Sequence, residues 1–145
     1  MPIVRDVLAV KGSQVHSVRP GDRVLDAIRT MNQHKIGAVL VMNEGHVAGI
    51  FTERDVLRRV VGEERHPAQV TVAEVMTEDV ICVGPDSDLD EVASIMKQRK
   101  IRHLPVCDDA GTLHGMVSIG DVNAYHASNQ EAQLHFLSEY IYGRV

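Results

Sequence analysis

The sequence predicts an α+β (α/β-class) fold: two tandem β-α-β-β-α repeats packed sheet to sheet about a pseudo-twofold axis. Three observations predict it. One phrase is spelled twice, as Gly49-Ile50-Phe51-Thr52-Glu53-Arg54-Asp55 and as Gly115-Met116-Val117-Ser118-Ile119-Gly120-Asp121. A shift of 65 lays the first half of the chain on the second, pairing Val7 with Val72, Val10 with Val75, Val18 with Val83, Pro20 with Pro85, Met31 with Met96, Lys35 with Lys100 and Val41 with Val106. Finally, a unit of roughly 60 residues with a one-sided apolar sheet can barely stabilise itself, so two such units bury their apolar faces against each other.

The elements follow in order within each copy. A short apolar segment ending in V-x-P, at Val18 to Pro20 and Val83 to Pro85, supplies the first strand. Apolar residues at helical spacing come next, Val24, Leu25, Ile28 and Met31 against Leu89, Val92, Ala93 and Met96, and predict an amphipathic helix. Ala38 to Met42 and Val47 to Phe51 flank a turn with Gly45, a β-hairpin signal repeated by Leu104 to Cys107 and Leu113 to Val117. After Glu44 the shift becomes 66, because the turn Asp108-Asp109-Ala110-Gly111 is one residue longer than Asn43-Glu44-Gly45. Turns accept insertions at little cost. Thr52 or Ser118 then opens another helix, striped by Val56, Leu57 and Val60 in the first copy. The expected boundaries are residues 1–65 for the first repeat, 66–71 for a linker containing Pro67, 72–128 for the second repeat and 129–145 for a C-terminal helix with Leu134, Leu137 and Ile141 on one face.

Composition narrows the function. With 44% hydrophobic and 24% charged residues, the chain has the makeup of a soluble globular protein, and no apolar run approaches the roughly 18 residues of a membrane span. The start, Met1-Pro2-Ile3-Val4-Arg5-Asp6, carries no secretory pattern, so a cytoplasmic location is the default expectation. A formal net charge of −5 argues against coating nucleic acid, so bound phosphate must be held locally. Cys82 and Cys107 lack zinc spacing and are expected as buried, reduced thiols. The eight histidines are scattered, which leaves no expected metal site.

The doubled phrase has two readings. Thr52 with Asp55, and Ser118 with Asp121, are capping boxes in which hydroxyl and carboxylate satisfy the first N–H groups of a helix. Capping does not require the glycine three residues earlier, which allows a ligand or another backbone to come close. A helix start also suits anions, and a carboxylate suits the paired hydroxyls of a ribose. Lys100, Arg102 and His103 beside Ile101, Leu104 and Pro105 add cations and aliphatic walls; Arg54 is divided between phosphate contact and surface charge.

The doubled phrase, V-x-P, K-I-G-A-V-L-V at Lys35 to Val41, K-I-R-H-L-P-V at Lys100 to Val106 and V-M-T at Val75 to Thr77 together resemble the CBS-domain pair, named from cystathionine β-synthase, in its small stand-alone form. The resemblance implies a disc-like regulatory module with two clefts for adenosine-containing ligands: AMP, ADP, ATP or NAD first, S-adenosylmethionine behind them. Each cleft takes hydroxyl and aspartate from one repeat and base-lining strands from the other. Carried over, one cleft uses Thr52, Arg54 and Asp55 with Thr77, Ile81, Lys100, Ile101, Arg102, His103 and Pro105. The other uses Ser118 and Asp121 with Lys11, Gly12, His16, Ile36, Gly37 and Ala38.

The clefts are unequal in charge. Gly37-Ala38 stands where the second repeat has Arg102-His103, and Gly120 stands where the first phrase has Arg54. The Thr52/Asp55 cleft is therefore the expected phosphate binder. No G-x-S-x-G, P-loop, G-x-G-x-x-G or C-x-x-C is present, so catalysis is not expected. The resemblance favours a homodimer that signals to a separate target protein. The alternative is an interaction scaffold with vestigial clefts, motivated by Tyr125, Phe136, Tyr140 and Tyr142 near the end of the chain.

Overall fold

The structure, a computed structural model, describes residues 2–128. Helix α1 (Val4–Lys11) leads into strand β1 (Ser17–Val18), helix α2 (Val24–His34), and the hairpin of β2 (Ala38–Asn43) and β3 (His46–Thr52). A short α3 (Glu53–Asp55) continues as a π-helical turn and a half over Val56–Val61. One 3-10 turn (Pro67–Gln69) and α4 (Val72–Val75) precede α5 (Leu89–Arg99), β4 (His103–Cys107) and β5 (Leu113–Ser118). Residues 119–128 are helical again. The tail expected to form a helix at 129–145, with its aromatics Phe136, Tyr140 and Tyr142, lies outside the described residues.

The first sheet has the order β1-β2-β3, with β1 parallel and β3 antiparallel to β2; the second contains β4 and β5. The strand expected at Val83 contracts to a single parallel bridge between Val83 and Val106. Alternation along the strands divides the core. Val39, Val41 and Phe51 turn to α2 and α4, whereas Ala38, Leu40 and Ile50 turn the other way, against Val80, Leu113 and Met116 of the second repeat. That sheet-to-sheet contact leaves Ala38 to Val41 buried on both faces.

The helices that open the repeats are exchanged. Val4 and Val7 of α1 are buried in the core of the second repeat, with Leu89, Leu104 and Val117; Val72 and Val75 of α4 are buried in that of the first, with Val24, Val39 and Phe51. This placement corrects the register of the repeat. Val4 N donates to Ser87 O at 2.9 Å and Val72 N to Asp22 O at 2.8 Å; Arg5 N donates to Pro85 O and Ala73 N to Pro20 O. At the start of each helix an acidic residue reaches back to the preceding backbone: Ile3 N donates to Asp6 Oδ2 at 2.9 Å and Thr71 N to Glu74 Oε2 at 2.7 Å. Val4 therefore corresponds to Val72 and Val7 to Val75, three residues off the pairing that the sequence shift suggests. Val10, matched to Val75 by that shift, is 80% exposed where Val75 is 1% exposed. A valine every third residue lets either register look right; only burial separates them.

The expected linker is structured throughout. His66 Nδ1 accepts from Ala68 N at 3.1 Å, Val70 is buried in the first core, and Val70 O accepts from Val24 N at 2.9 Å.

Candidate functional site

Both copies of the phrase do cap a helix. Thr52 Oγ1 accepts from Asp55 N at 3.3 Å, while Thr52 N donates to Asp55 Oδ2 at 3.0 Å. Asp121 N donates to Ser118 Oγ at 3.0 Å, and Ser118 N to Asp121 Oδ2 at 2.8 Å. The glycines answer a packing need. A β-carbon at Gly49 would lie 2.7 Å from Met76 Sδ and 2.8 Å from Thr77 O, and one at Gly115 would lie 2.9 Å from Leu8 Cδ2. In each case the neighbour is the exchanged segment of the chain, so the close approach is internal.

Beyond capping, the two copies diverge. Thr77 pairs with Ile50 through both backbone bonds, each 2.9 Å, which extends the sheet by one rung. That rung holds the Thr77 hydroxyl over Asp55, where Oγ1 donates to Oδ1 at 3.2 Å. Arg59 Nε lies 3.7 Å from the same oxygen, and its Nη1 donates to Met76 O at 2.8 Å. Asp55 is 7% exposed and is the one buried charged side chain among the described residues. Its burial is compensated by the N–H of Thr52, two hydroxyls and a guanidinium.

Around this carboxylate opens a cleft of about 540 Å³, lined by Gly37, Ile50, Thr52 to Asp55, Arg58, Arg59, Thr77 and Lys100 to His103. The floor comes from the first repeat and the opposite wall from the second. Of the residues expected here, Thr52, Arg54, Asp55, Thr77, Lys100, Ile101, Arg102 and His103 come together; Ile81 packs on the second core and Pro105 is buried within β4. Arg58 and Arg59 were not legible in the phrase, because they reach the cleft from the π-helical turn. Gly62 N closes that turn on Leu57 O at 2.8 Å, and a β-carbon at Gly62 would lie 2.8 Å from the same oxygen. A wide turn of this kind sits beside functional sites more often than elsewhere. Arg54, Arg58, Lys100 and Arg102 form no ion pair among the described residues, which leaves their charge available to an anion. His103 is held below the usual histidine value by burial; Asp121 opposes this, Lys11 and Arg102 add to it, and Glu53 opposes it weakly.

The second set does not assemble as expected. Lys11 and Asp121 meet, but as an ion pair: Lys11 Nζ donates to Asp121 Oδ2 at 2.6 Å and to Met116 O at 2.7 Å. Met116 corresponds to Ile50, so one lysine takes the place of the Thr77 N–H and of the Thr77 hydroxyl. Burial works to raise the Asp121 carboxyl, yet the Lys11 hydrogen bond, the Ser118 N–H and the Lys11 charge together hold it below the usual carboxylate range. Gly12 ends α1 with φ +94 and open space around it. His16 stacks on His34, ring centroids 3.7 Å apart; Ile36 packs on the first core, Gly37 lines the other cleft, and Ala38 is buried between the sheets. A smaller hollow of about 350 Å³ beside Lys11 and Asp121 has mostly apolar walls, Val7, Val10, Ala124 and Tyr125 among them.

The cysteines are also corrected. Cys82 is exposed and Cys107 half-buried, with their sulfurs 3.4 Å apart. No group of three or more potential metal ligands occurs among the described residues, and no helix among them is long and apolar enough to cross a membrane.

Repeated capping grammar, exchanged opening helices and an anion-friendly cleft between the repeats define a tandem module of the kind that the sequence resembles. The family model for the CBS domain matches residues 4–62 and again 72–127, and the chain belongs to that family. It is 36% identical, over 97% of its length and 72% of the relative's, to the mitochondrial CBS domain-containing protein CBSX3 of Arabidopsis thaliana. A solved CBS-domain protein of Burkholderia ambifaria superposes with a TM-score of 0.85 at 39% identity, covering 89% of this chain and 96% of that one. The CBS-domain pair of protein MJ0100, solved in complex with 5′-methylthioadenosine and S-adenosyl-L-methionine, superposes with a TM-score of 0.76 at 25% identity, covering 86% and 99%.

Proposed function

We propose that the chain is a non-catalytic regulatory module that binds an adenosine phosphate, of the AMP, ADP, ATP or NAD class, in the Thr52/Asp55 cleft and reports it to a separate protein. The observation that carries this reading is one buried carboxylate, Asp55, ringed by Arg54, Arg58, Arg59, Lys100 and Arg102. Asp55 Oδ1 accepts from Thr77 and keeps a second lone pair for a ribose hydroxyl, and the guanidinium groups suit phosphate oxygens. The adenosyl group of the ligands in the MJ0100 complex supports the class of ligand. Charge orders its members: a cleft this cationic disfavours the sulfonium of S-adenosylmethionine and favours phosphates.

Because the cleft is built from both repeats, a ligand that touches both stabilises one relative placement of them. A partner that prefers that placement then feels the ligand concentration. A homodimer is part of the same proposal, and the exposed apolar pair Leu57 and Val61, one turn apart, fits a second copy. Calorimetric titration with ATP, ADP, AMP, NAD and S-adenosylmethionine tests it. Saturable binding of a phosphate-bearing member, tightest at low salt, is expected; no heat with any of them at millimolar concentration overturns it.

A further inference from the structure

We propose that Cys82 and Cys107 form a reversible dithiol–disulfide pair that clamps the chain at Cys82 and Val83 to β4. The two residues flank the Val83–Val106 bridge: Cys82 immediately precedes it and Cys107 immediately follows it. Val83 N donates to Pro105 O at 3.0 Å and Cys107 N to Val83 O at 2.9 Å, so the backbones on which the thiols stand are already fixed to each other. Cys107 Sγ and Cys82 Sγ are 3.4 Å apart, a gap that must close by roughly 1.4 Å to form the bond. Rotation of the two side chains draws the sulfurs together, and Cys82, which lies outside any strand, supplies the backbone movement that the bond requires.

The two sulfurs have different roles. Cys82 is exposed, so an oxidant reaches it; Cys107 is half-buried, and burial together with the Cys82 contact pushes its thiol up to about 11. Cys82 is therefore the sulfur that reacts first. With a peroxide as oxidant, the Cys82 thiolate attacks one peroxide oxygen, the O–O bond breaks, and the displaced hydroxide takes a proton to leave as water. The Cys107 sulfur then attacks the Cys82 sulfenic acid, the S–O bond breaks, and the Cys107 proton leaves with the hydroxide as a second water. Both thiols are oxidised and one peroxide is reduced to two waters. A dithiol reductant reverses the step by exchange.

The clamp joins two elements that also carry cleft residues. Cys82 lies five residues beyond Thr77, and Cys107 lies four residues beyond His103 on β4. The bond restrains both ends of the second repeat's first bridge, whatever the cleft binds. Treatment of the 145-residue chain with a slight excess of hydrogen peroxide, followed by intact-mass analysis and thiol titration, is the test. The expected result is a loss of about 2 Da per chain and of both titratable thiols, reversed by dithiothreitol. Cys82→Ser and Cys107→Ser each abolish the mass loss, and slower amide exchange at Val83 and Cys107 in the oxidised form reports the clamp. Oxidation to sulfinic acid without a disulfide, a disulfide between chains, or two thiols that stay free overturns the proposal.

Discussion

The two copies of one phrase share their capping chemistry and differ in what reaches the carboxylate from outside. Over Asp55 stands a neutral hydroxyl, Thr77, delivered by a backbone rung. Over Asp121 stands an ammonium, Lys11, delivered by the last turn of α1, which runs for 8 residues where α4 ends after 4. A hydroxyl shares a carboxylate with a ribose, whereas an ammonium at 2.6 Å occupies it. The same helix start occurs twice, and the opening segment of the opposite repeat decides which group faces each carboxylate.

The largest expected effect breaks the comparison at its strong end. Asp55→Ala removes the proposed ribose acceptor and a buried charge to which two hydroxyls donate, and charged hydrogen bonds contribute about 1.5–3 kcal/mol each. Nucleotide affinity falls by about 100-fold in calorimetry, while Asp121→Ala leaves the first binding event within about twofold. Equal losses in the two variants would show that the copies do not differ as described.

Arg54→Ala combined with Arg102→Ala comes next. ATP binding weakens by roughly tenfold or more and loses part of its salt dependence, whereas adenosine binding changes little, because exposed charges act on phosphate and are screened. Parallel losses for ATP and adenosine would place the phosphates elsewhere.

Lys11→Ala tests the other side of the comparison. It frees Asp121, so a second, weaker binding event is expected in calorimetry. Folding stability falls by about 1 kcal/mol, as for a partly exposed ion pair. A stoichiometry that stays unchanged would mean that Lys11 is not what keeps the second copy occupied.

The smallest effect is on pH. Because the folded state holds His103 below its ordinary value, the unfolded chain binds the proton more readily. His103 therefore contributes stability above that ordinary value, and the contribution is lost as pH falls toward the folded one. A phosphate in the cleft favours the imidazolium, so nucleotide binding takes up a proton and tightens modestly on acidification. His103→Gln flattens that part of the pH profile; an unaltered profile would remove His103 from the phosphate site.

Much of this was legible in the residues. Apolar runs on either side of a glycine-bearing turn placed both hairpins, spacing placed α2 and α5, and hydroxyl-to-aspartate spacing found both helix starts, since each rests on contacts within a few residues. Lys100 to His103 were found because cations cluster there beside aliphatic residues, in a stretch that carries the family resemblance. Arg58 and Arg59 were not, since their approach depends on a π-helical turn that the sequence Val56 to Val61 does not advertise. The true register of α1 was hidden by Val4, Val7 and Val10, which satisfy either alignment. The resemblance grouped Lys11 with Asp121, but that the two meet as an ion pair at 2.6 Å depends on the length of α1, which the sequence does not mark.

The exchange of α1 and α4 carries a consequence for ancestry and assembly. Each repeat, cut free, would lack the two buried valines that complete its core and would expose the strand faces that meet at Leu40 and Met116. A single-copy forebear would have met the same need by lending its opening helix to a twin, as an intertwined two-chain dimer. The covalent chain is then a fused pair of mutual debtors, and residues 2–65 and 66–128, made as separate polypeptides, would each fold only in the other's company.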